Sequence, residues 1–124
     1  EPLREQPYPL LILQPTTSPE ALRRYLYENG FEILTETALK ENGKLYSVIT
    51  ACFTGETKKM PEHFYYTGKV DANTKDGYLY IQKQYIRLKK CADALTNIPE
   101  KQSEYLHYKK LSDEILRLIT AKQE

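Results

Sequence analysis

The residues best placed to do chemistry are Gln14, Pro15 and Thr16, which close a run of four large aliphatic side chains, Leu10 to Leu13. Such a run reads as a strand buried on both faces, the kind found in parallel sheets covered by helices. In open α/β sheets the ligand crevice lies just beyond the carboxyl ends of the strands, where these three residues would sit. An ordinary strand-to-helix turn uses the same residue types, and the sequence leaves both readings open. A second group is cationic. The chain carries a net charge of only +1, yet residues 56 to 90 hold eight basic against four acidic side chains, among them Lys83, Arg87, Lys89 and Lys90. Phe64, Tyr65, Tyr66, Tyr78, Tyr80 and Tyr85 are interleaved with them. Cations and aromatics in alternation suit phosphate neutralisation and base stacking. Core tyrosines beneath a solvated lysine face would produce the same pattern.

Other chemistries find little support. The five glycines, at 30, 43, 55, 68 and 77, are too far apart to form a phosphate-cradling or dinucleotide-binding loop. His63 and His107 have no cysteine or carboxylate at metal-ligand spacing, so no metal is expected. Ser18 reads as a helix cap, Ser47 as a strand residue, and Ser103 and Ser112 as parts of the last helix; none forms a triad. Cys52 and Cys91 are too few for a disulfide framework and read as reduced packing residues. No catalytic residue is assigned by these patterns.

The elements that position the first group form a strand, helix, strand, tight turn, strand unit. After the Gln-Pro strand, Ser18 suits an N-cap, Pro19 the first helical position and Gly30 the exit, with Leu22, Tyr25 and Leu26 as the inward stripe. Residues 31 to 37 and 45 to 53 read as two strands joined through Asn42-Gly43, a pair that favours a hairpin. A right-handed crossover leaves room for the last strand to insert antiparallel between the other two, giving the spatial order first, third, second. The free flank of the Gln-Pro strand is then expected to be covered by a second copy of the chain or by residues 1 to 9 folding back. Residues 56 to 76 read as a connection with one docked turn near Phe64 to Tyr66. Tyr78, Ile81, Tyr85, Leu88, Ala92 and Leu95 follow a heptad seam; Tyr108, Leu111, Ile115 and Leu118 resume it after Pro99, predicting a helical hairpin. With 124 residues, 40% hydrophobic and 28% charged, one modest domain is expected. No apolar run approaches the roughly 20 residues that span a bilayer, and residues 1 to 4 lack a signal-peptide pattern, which points to a cytoplasmic protein. The missing initiator methionine and Pro2, Pro7 and Pro9, just before a core strand, suggest that the chain begins inside a larger domain.

Three stretches in register carry a resemblance: Leu11-Ile12-Leu13-Gln14-Pro15, then Leu22-Arg23-Arg24-Tyr25-Leu26-Tyr27-Glu28-Asn29-Gly30-Phe31-Glu32-Ile33, then Glu41-Asn42-Gly43-Lys44-Leu45-Tyr46. They resemble the second half of the bacterial tRNA (adenine-N-1)-methyltransferases acting at position 22. In that family a leucine-rich strand ending in Gln-Pro-Asn precedes a helix with a Leu-Arg pair, a Gly-Phe-Glu-Ile exit and a Gly-Lys hairpin, and a helical hairpin ends the chain. Here Thr16 stands where the family usually has Asn, Tyr25 replaces a common Trp and Ser47 a common Glu. The family's glycine-rich loop for S-adenosylmethionine and its Gly-Met-Gly-Gly segment precede the Gln-Pro strand and are not in this sequence.

The resemblance implies an α/β fold, the C-terminal part of a Rossmann-type methyltransferase sheet followed by an α-helical hairpin. Residues 1 to 57 would be the sheet part, 58 to 76 the connection and 77 to 124 the coiled-coil-like hairpin. It implies a parent enzyme that transfers a methyl group from S-adenosylmethionine to ring nitrogen 1 of an adenine in tRNA, with tRNA and the missing N-terminal half as partners. This chain alone would be inactive, with no cofactor-binding residue of its own. On this reading Gln14 hydrogen-bonds the base edge, Pro15 shapes a wall, Thr16 is the third substrate-binding residue and Arg23 contacts phosphate; the basic segment adds Lys83, Arg87, Lys89 and Lys90 as candidate RNA contacts. The reading of another class is a non-catalytic module in which the hairpin grips RNA or a protein.

Overall fold

The computed structural model describes residues 10 to 121. Its elements run β1 (Leu11–Leu13), α1 (Pro19–Glu28), β2 (Phe31–Glu41), β3 (Lys44–Phe53), α2 (Phe64–Thr67), α3 (Lys75–Leu95), a 3-10 turn (Pro99–Lys101) and α4 (Gln102–Thr120). The strands form one sheet in the order β1-β3-β2, with both pairings antiparallel. This is the order expected from crossover handedness. Asn42 and Gly43 have φ values of 53° and 78°, the pair of positive angles that a type I′ turn requires. The turn therefore needs only two residues, and the strands run on to Glu41 and Lys44 beyond their expected ends.

One irregularity in β2 decides what lies inside. Ile33 pairs with Ala51 but Thr35 pairs with Thr50, which leaves Leu34 as an extra residue. Side chains alternate along a strand, so one inserted residue reverses the phase for everything after it. Ile33 faces inward before the bulge; after it Glu36 and Ala38 are buried, while Thr35 and Thr37 are exposed.

β1 pairs antiparallel with β3 and lies at the edge of the sheet among the described residues, as expected, but it is only three residues long and is not buried on both faces: Leu10 and Ile12 are 59% and 73% exposed. An aliphatic run reports that its side chains favour burial but not which surface covers them. Here Leu13 packs into the core beneath the helices, and Ile12 faces outward. The prolines at positions 2, 7 and 9, and the expected fold-back of residues 1 to 9, lie outside the described residues.

α1 is rotated relative to its expected stripe. Leu26 and Tyr27 are buried, Arg23 is completely so, and Tyr25 is 57% exposed. Tyr25 gives way because Arg23 finds a carboxylate partner inside. Ser18 occupies the N-cap position without capping: it is in the left-handed region at φ 46°, its side chain makes no cap hydrogen bond, and its carbonyl accepts from the Ala21 and Leu22 amides.

Two apolar clusters share the inner face of the sheet. One joins Leu26 and Tyr27 of α1, Ile33, Ile49 and Ala51 of the sheet, and Tyr65 of α2. The other joins Ala38 and Val70 to Tyr80, Ile81 and Leu88 of α3 and to Leu111, Ile115 and Ile119 of α4. The helical hairpin is present, with two changes in its seam. Tyr80 is buried beside Ile81, and Ile119 replaces Leu118, which is exposed. Steps of four from Leu111 through Ile115 reach Ile119, the position that a helix of 3.6 residues per turn keeps inward.

Candidate functional site

A buried ion pair sets the position of the hairpin. Arg23 and Glu36 have fully buried side chains. Arg23 Nε donates to Glu36 Oε2 at 3.1 Å, Nη1 donates to the Tyr65 carbonyl at 2.8 Å and Nη2 to the Tyr80 hydroxyl at 2.7 Å. The Lys69 amide donates to Glu36 Oε1 at 3.1 Å. Burial opposes the guanidinium charge, but the Glu36 carboxylate and then Tyr80 override it, and the Arg23 pKa is raised. The network ties α1, β2, the α2 segment and α3 together at one point. Arg23 is thus a structural residue, which corrects its expected phosphate contact: the side chain is sealed from solvent and its donors are directed at protein acceptors.

Above this point lies a cleft of about 570 Å³ between the turn after β1, the start of β3 and the outer side of α3. Because β1 and β3 are antiparallel, the carboxyl end of β1 meets the amino end of β3, and the cleft opens at that end of the sheet. Pro15 and Thr16 line one wall and Lys83 and Arg87 the other, so the two groups singled out in the sequence meet here. Gln14 is exposed and does not line the cleft. Lys89 and Lys90 are exposed on α3 but outside it, and Lys89 reaches Asp93 at 3.3 Å.

Several cleft residues were not singled out for function in the sequence, including Thr17, Ser18, Glu20, Lys44, Ser47 and Gln84. Gln84 sits between Lys83 and Arg87 on one helical turn, and Tyr80, one of the interleaved aromatics, lines the cleft from the same helix. The others come from a hairpin and a turn 30 or more residues from Lys83 in the chain, and only the fold brings them there.

The cleft is cationic, with Lys44, Lys83 and Arg87 against Glu20. Arg87 is already engaged: Nη2 lies 3.7 Å from Glu20 Oε1, donates to Gln84 Oε1 at 2.7 Å, and the guanidinium stands 5.7 Å from the Tyr66 ring centroid. Burial, with Glu20 and Glu62 nearby, raises the Tyr66 pKa, so the ring beneath Arg87 stays a neutral phenol at physiological pH. Lys44 and Lys83 make no ion pair among the described residues. A second depression, of about 470 Å³ near Arg24, offers less, because Arg24 is neutralised by Glu62 at 2.6 Å and lies over the Tyr65 ring at 4.3 Å. No group of three metal-ligating side chains occurs among the described residues, and no helix there is long and apolar enough to cross a membrane.

The glycines are spread over four turns and one helix start. Gly30, Gly43, Gly55 and Gly68 all have positive φ and serve turns at the helix exit, the hairpin, the end of the sheet and the end of α2. Gly77 lies inside the first turn of α3. The cleft, with Lys44 and Lys83 outside any ion pair among the described residues, is suited to binding an anion.

A search of curated protein sequences finds no significant match. Solved structures do match. The B. subtilis m1A22 tRNA methyltransferase TrmK superposes with a TM-score of 0.72 at 16% identity, over 89% of this chain and 51% of that one. A protein of the NADB-Rossmann superfamily from Streptococcus agalactiae gives 0.68 at 21%, over 89% and 47%. M. capricolum TrmK, solved with its cofactor product S-adenosyl-homocysteine, gives 0.60 at 18%, over 90% and 49%. The chain thus spans about half the length of the structures it matches, and at these identities the likeness establishes the fold alone, that of the matched half of those structures. The model of one family matches residues 4 to 121, nearly the whole sequence, and by that match the chain belongs to the tRNA (adenine(22)-N(1))-methyltransferase family.

Proposed function

We propose that this chain is the substrate-facing half of an S-adenosylmethionine-dependent enzyme that methylates ring nitrogen 1 of adenine 22 in tRNA. The observation that carries the reading is the cationic cleft in which the carboxyl end of β1 faces α3. S-adenosylmethionine would supply the methyl group in such an enzyme, and on this reading the cofactor-binding half holds it. The role of this half is to bind and orient RNA. Lys83, Arg87 and Lys90 recur at steps of four and three and share one stripe of α3, suited to tracking a phosphate backbone. Lys89 lies off that stripe and adds charge near it. Pro15 and Thr16 wall the cleft, and Gln14, exposed at its rim, is available to a base edge that has left its stack.

The same reading gives the open flank of β1 a purpose. It would continue the sheet of the cofactor-binding half, and in the absence of that half two such flanks would pair around a two-fold axis. The decisive test is tRNA binding by the purified chain. A gel shift at low salt should show weak, salt-sensitive binding by the parent, abolished when Lys83, Arg87, Lys89 and Lys90 are all changed to Glu; equal shifts would refute an RNA-binding role for α3. The chain alone should show no heat of binding with S-adenosylmethionine, and a micromolar dissociation constant would overturn the division of labour between halves.

A further inference from the structure

We propose that the cleft seats one backbone phosphate of the bound RNA at a defined point, between the Ser47 hydroxyl, the first turn of α1 and the Lys44 and Lys83 ammonium groups. This rests on the RNA-binding reading and makes it specific to a site. The leading observation is Ser47. It is 1% exposed, it lines the cleft, and its Oγ has no hydrogen-bond partner among the described residues. Buried hydroxyls are almost always bonded, so one left without a partner at the wall of a cleft is a donor awaiting an acceptor.

An independent feature points the same way. Ser18 leaves α1 uncapped by a side chain, Pro19 has no N–H, and the Ala21 and Leu22 amides turn back to the Ser18 carbonyl. The Glu20 amide is the remaining donor of that turn, and it opens where the helix dipole favours negative charge. Ser18 also holds a left-handed φ of 46°, unusual for a residue with a side chain, which keeps its hydroxyl away from the position where it would cap the helix.

The charges select the ligand. Arg87 is occupied by Glu20 and Gln84, whereas Lys44 and Lys83 are free of ion pairs among the described residues. Two ammonium groups, a hydroxyl and a helix-terminal amide are all donors. A tetrahedral phosphodiester, with one negative charge shared over two non-bridging oxygens, satisfies such a set; a neutral base does not.

Three arms test this. Ser47→Ala removes only the unpartnered hydroxyl, so it should fold at least as stably as the parent while weakening tRNA binding about tenfold, the loss of one hydrogen bond to a charged group. Lys44→Gln and Lys83→Gln should each lower the dependence of log affinity on log salt by about one unit. In the third arm, inorganic phosphate added to the 15N-labelled chain should shift the Glu20 and Ser47 amides, and adenosine should not. If tRNA binds the parent and Ser47→Ala equally, the phosphate seat is wrong and the RNA reading stands. If phosphate shifts those amides but tRNA does not bind the parent, the site takes free phosphate and its assignment to RNA is overturned. If neither binds, both readings fail.

Discussion

Removing the Glu36 carboxylate tests the claim that the buried ion pair holds the hairpin in place. In Glu36→Ala the Arg23 guanidinium stays buried and charged, with Tyr65 and Tyr80 as its remaining acceptors, and the Lys69 amide loses its acceptor. Breaking a buried pair from one side costs about 3–5 kcal/mol, and an orphaned amide adds about 1 kcal/mol or more. Against a total stability of about 5–15 kcal/mol for a domain, the melting temperature should fall by roughly 15–20 °C. Thermal unfolding followed by circular dichroism measures the shift directly, and urea denaturation gives the free-energy loss. The double variant Arg23→Met with Glu36→Leu should recover much of the loss, because an apolar pair of similar volume leaves no naked charge. A cycle of the two singles and the double should then give a coupling of at least about 2 kcal/mol. If Glu36→Ala costs less than about 1 kcal/mol, or if the double is no better than the single, the pair is not what fixes α1 to α3.

Other perturbations follow from the same contacts. A Cβ at Gly68 would overlap Glu36 Oε1 and lie 2.5 Å from Arg23 Nε at a φ of +60°, so Gly68→Ala should cost about 2 kcal/mol or more by the same denaturation assay. The Arg24 hydrogen bond lowers the Glu62 pKa against a smaller opposing effect of burial. A depressed carboxyl stabilises the fold above its unfolded pKa, and that contribution is lost as pH falls through the folded value. Glu62→Gln should therefore lower the melting temperature at neutral pH and not in strong acid, an effect kept small because both partners are over a third exposed; equal losses at both would refute it. Sedimentation at micromolar concentration should find self-association through β1, and a clean monomer with slowly exchanging Leu11 and Leu13 amides would show that its flank is already covered.

The strand order and the hairpin were legible because they rest on local rules: Asn42-Gly43 specifies a two-residue turn, and handedness then leaves one place for β3. The inward Glu36 was not legible. A reader of period two places Thr35 and Thr37 inside with Ile33, and only the extra residue at Leu34, visible in the pairing with β3, reverses the phase. Arg23 was not legible either: its expected phosphate contact came from the resemblance, and nothing local marks a helix arginine as buried until a carboxylate is known to lie opposite. Half of the cleft was legible as well. Lys83 and Arg87 announce themselves by spacing of four, and Pro15 and Thr16 by following a strand. Lys44 and Ser47 do not, because a hairpin lysine and a strand serine are ordinary in isolation and acquire meaning only through the antiparallel contact of β1 with β3.

The ion-pair network also bears on the order in which the molecule assembles. Its partners, at positions 23, 36, 65, 69 and 80, are drawn from four separate segments, so its bonds form together only when almost the whole chain is in place. The α3 and α4 contacts are local by comparison and can form early, since closing a short loop costs little entropy. Weakening the network should therefore accelerate unfolding and leave the refolding rate nearly unchanged, with a φ-value at Glu36 near zero. Stopped-flow chevrons of the parent and Glu36→Gln would reveal it, and a slowed refolding limb would put the ion pair in the nucleus instead. On this account the Arg23 charge stays in water until the sheet, α2 and α3 have met, and the last step of folding is the one that sets the α3 wall of the cleft.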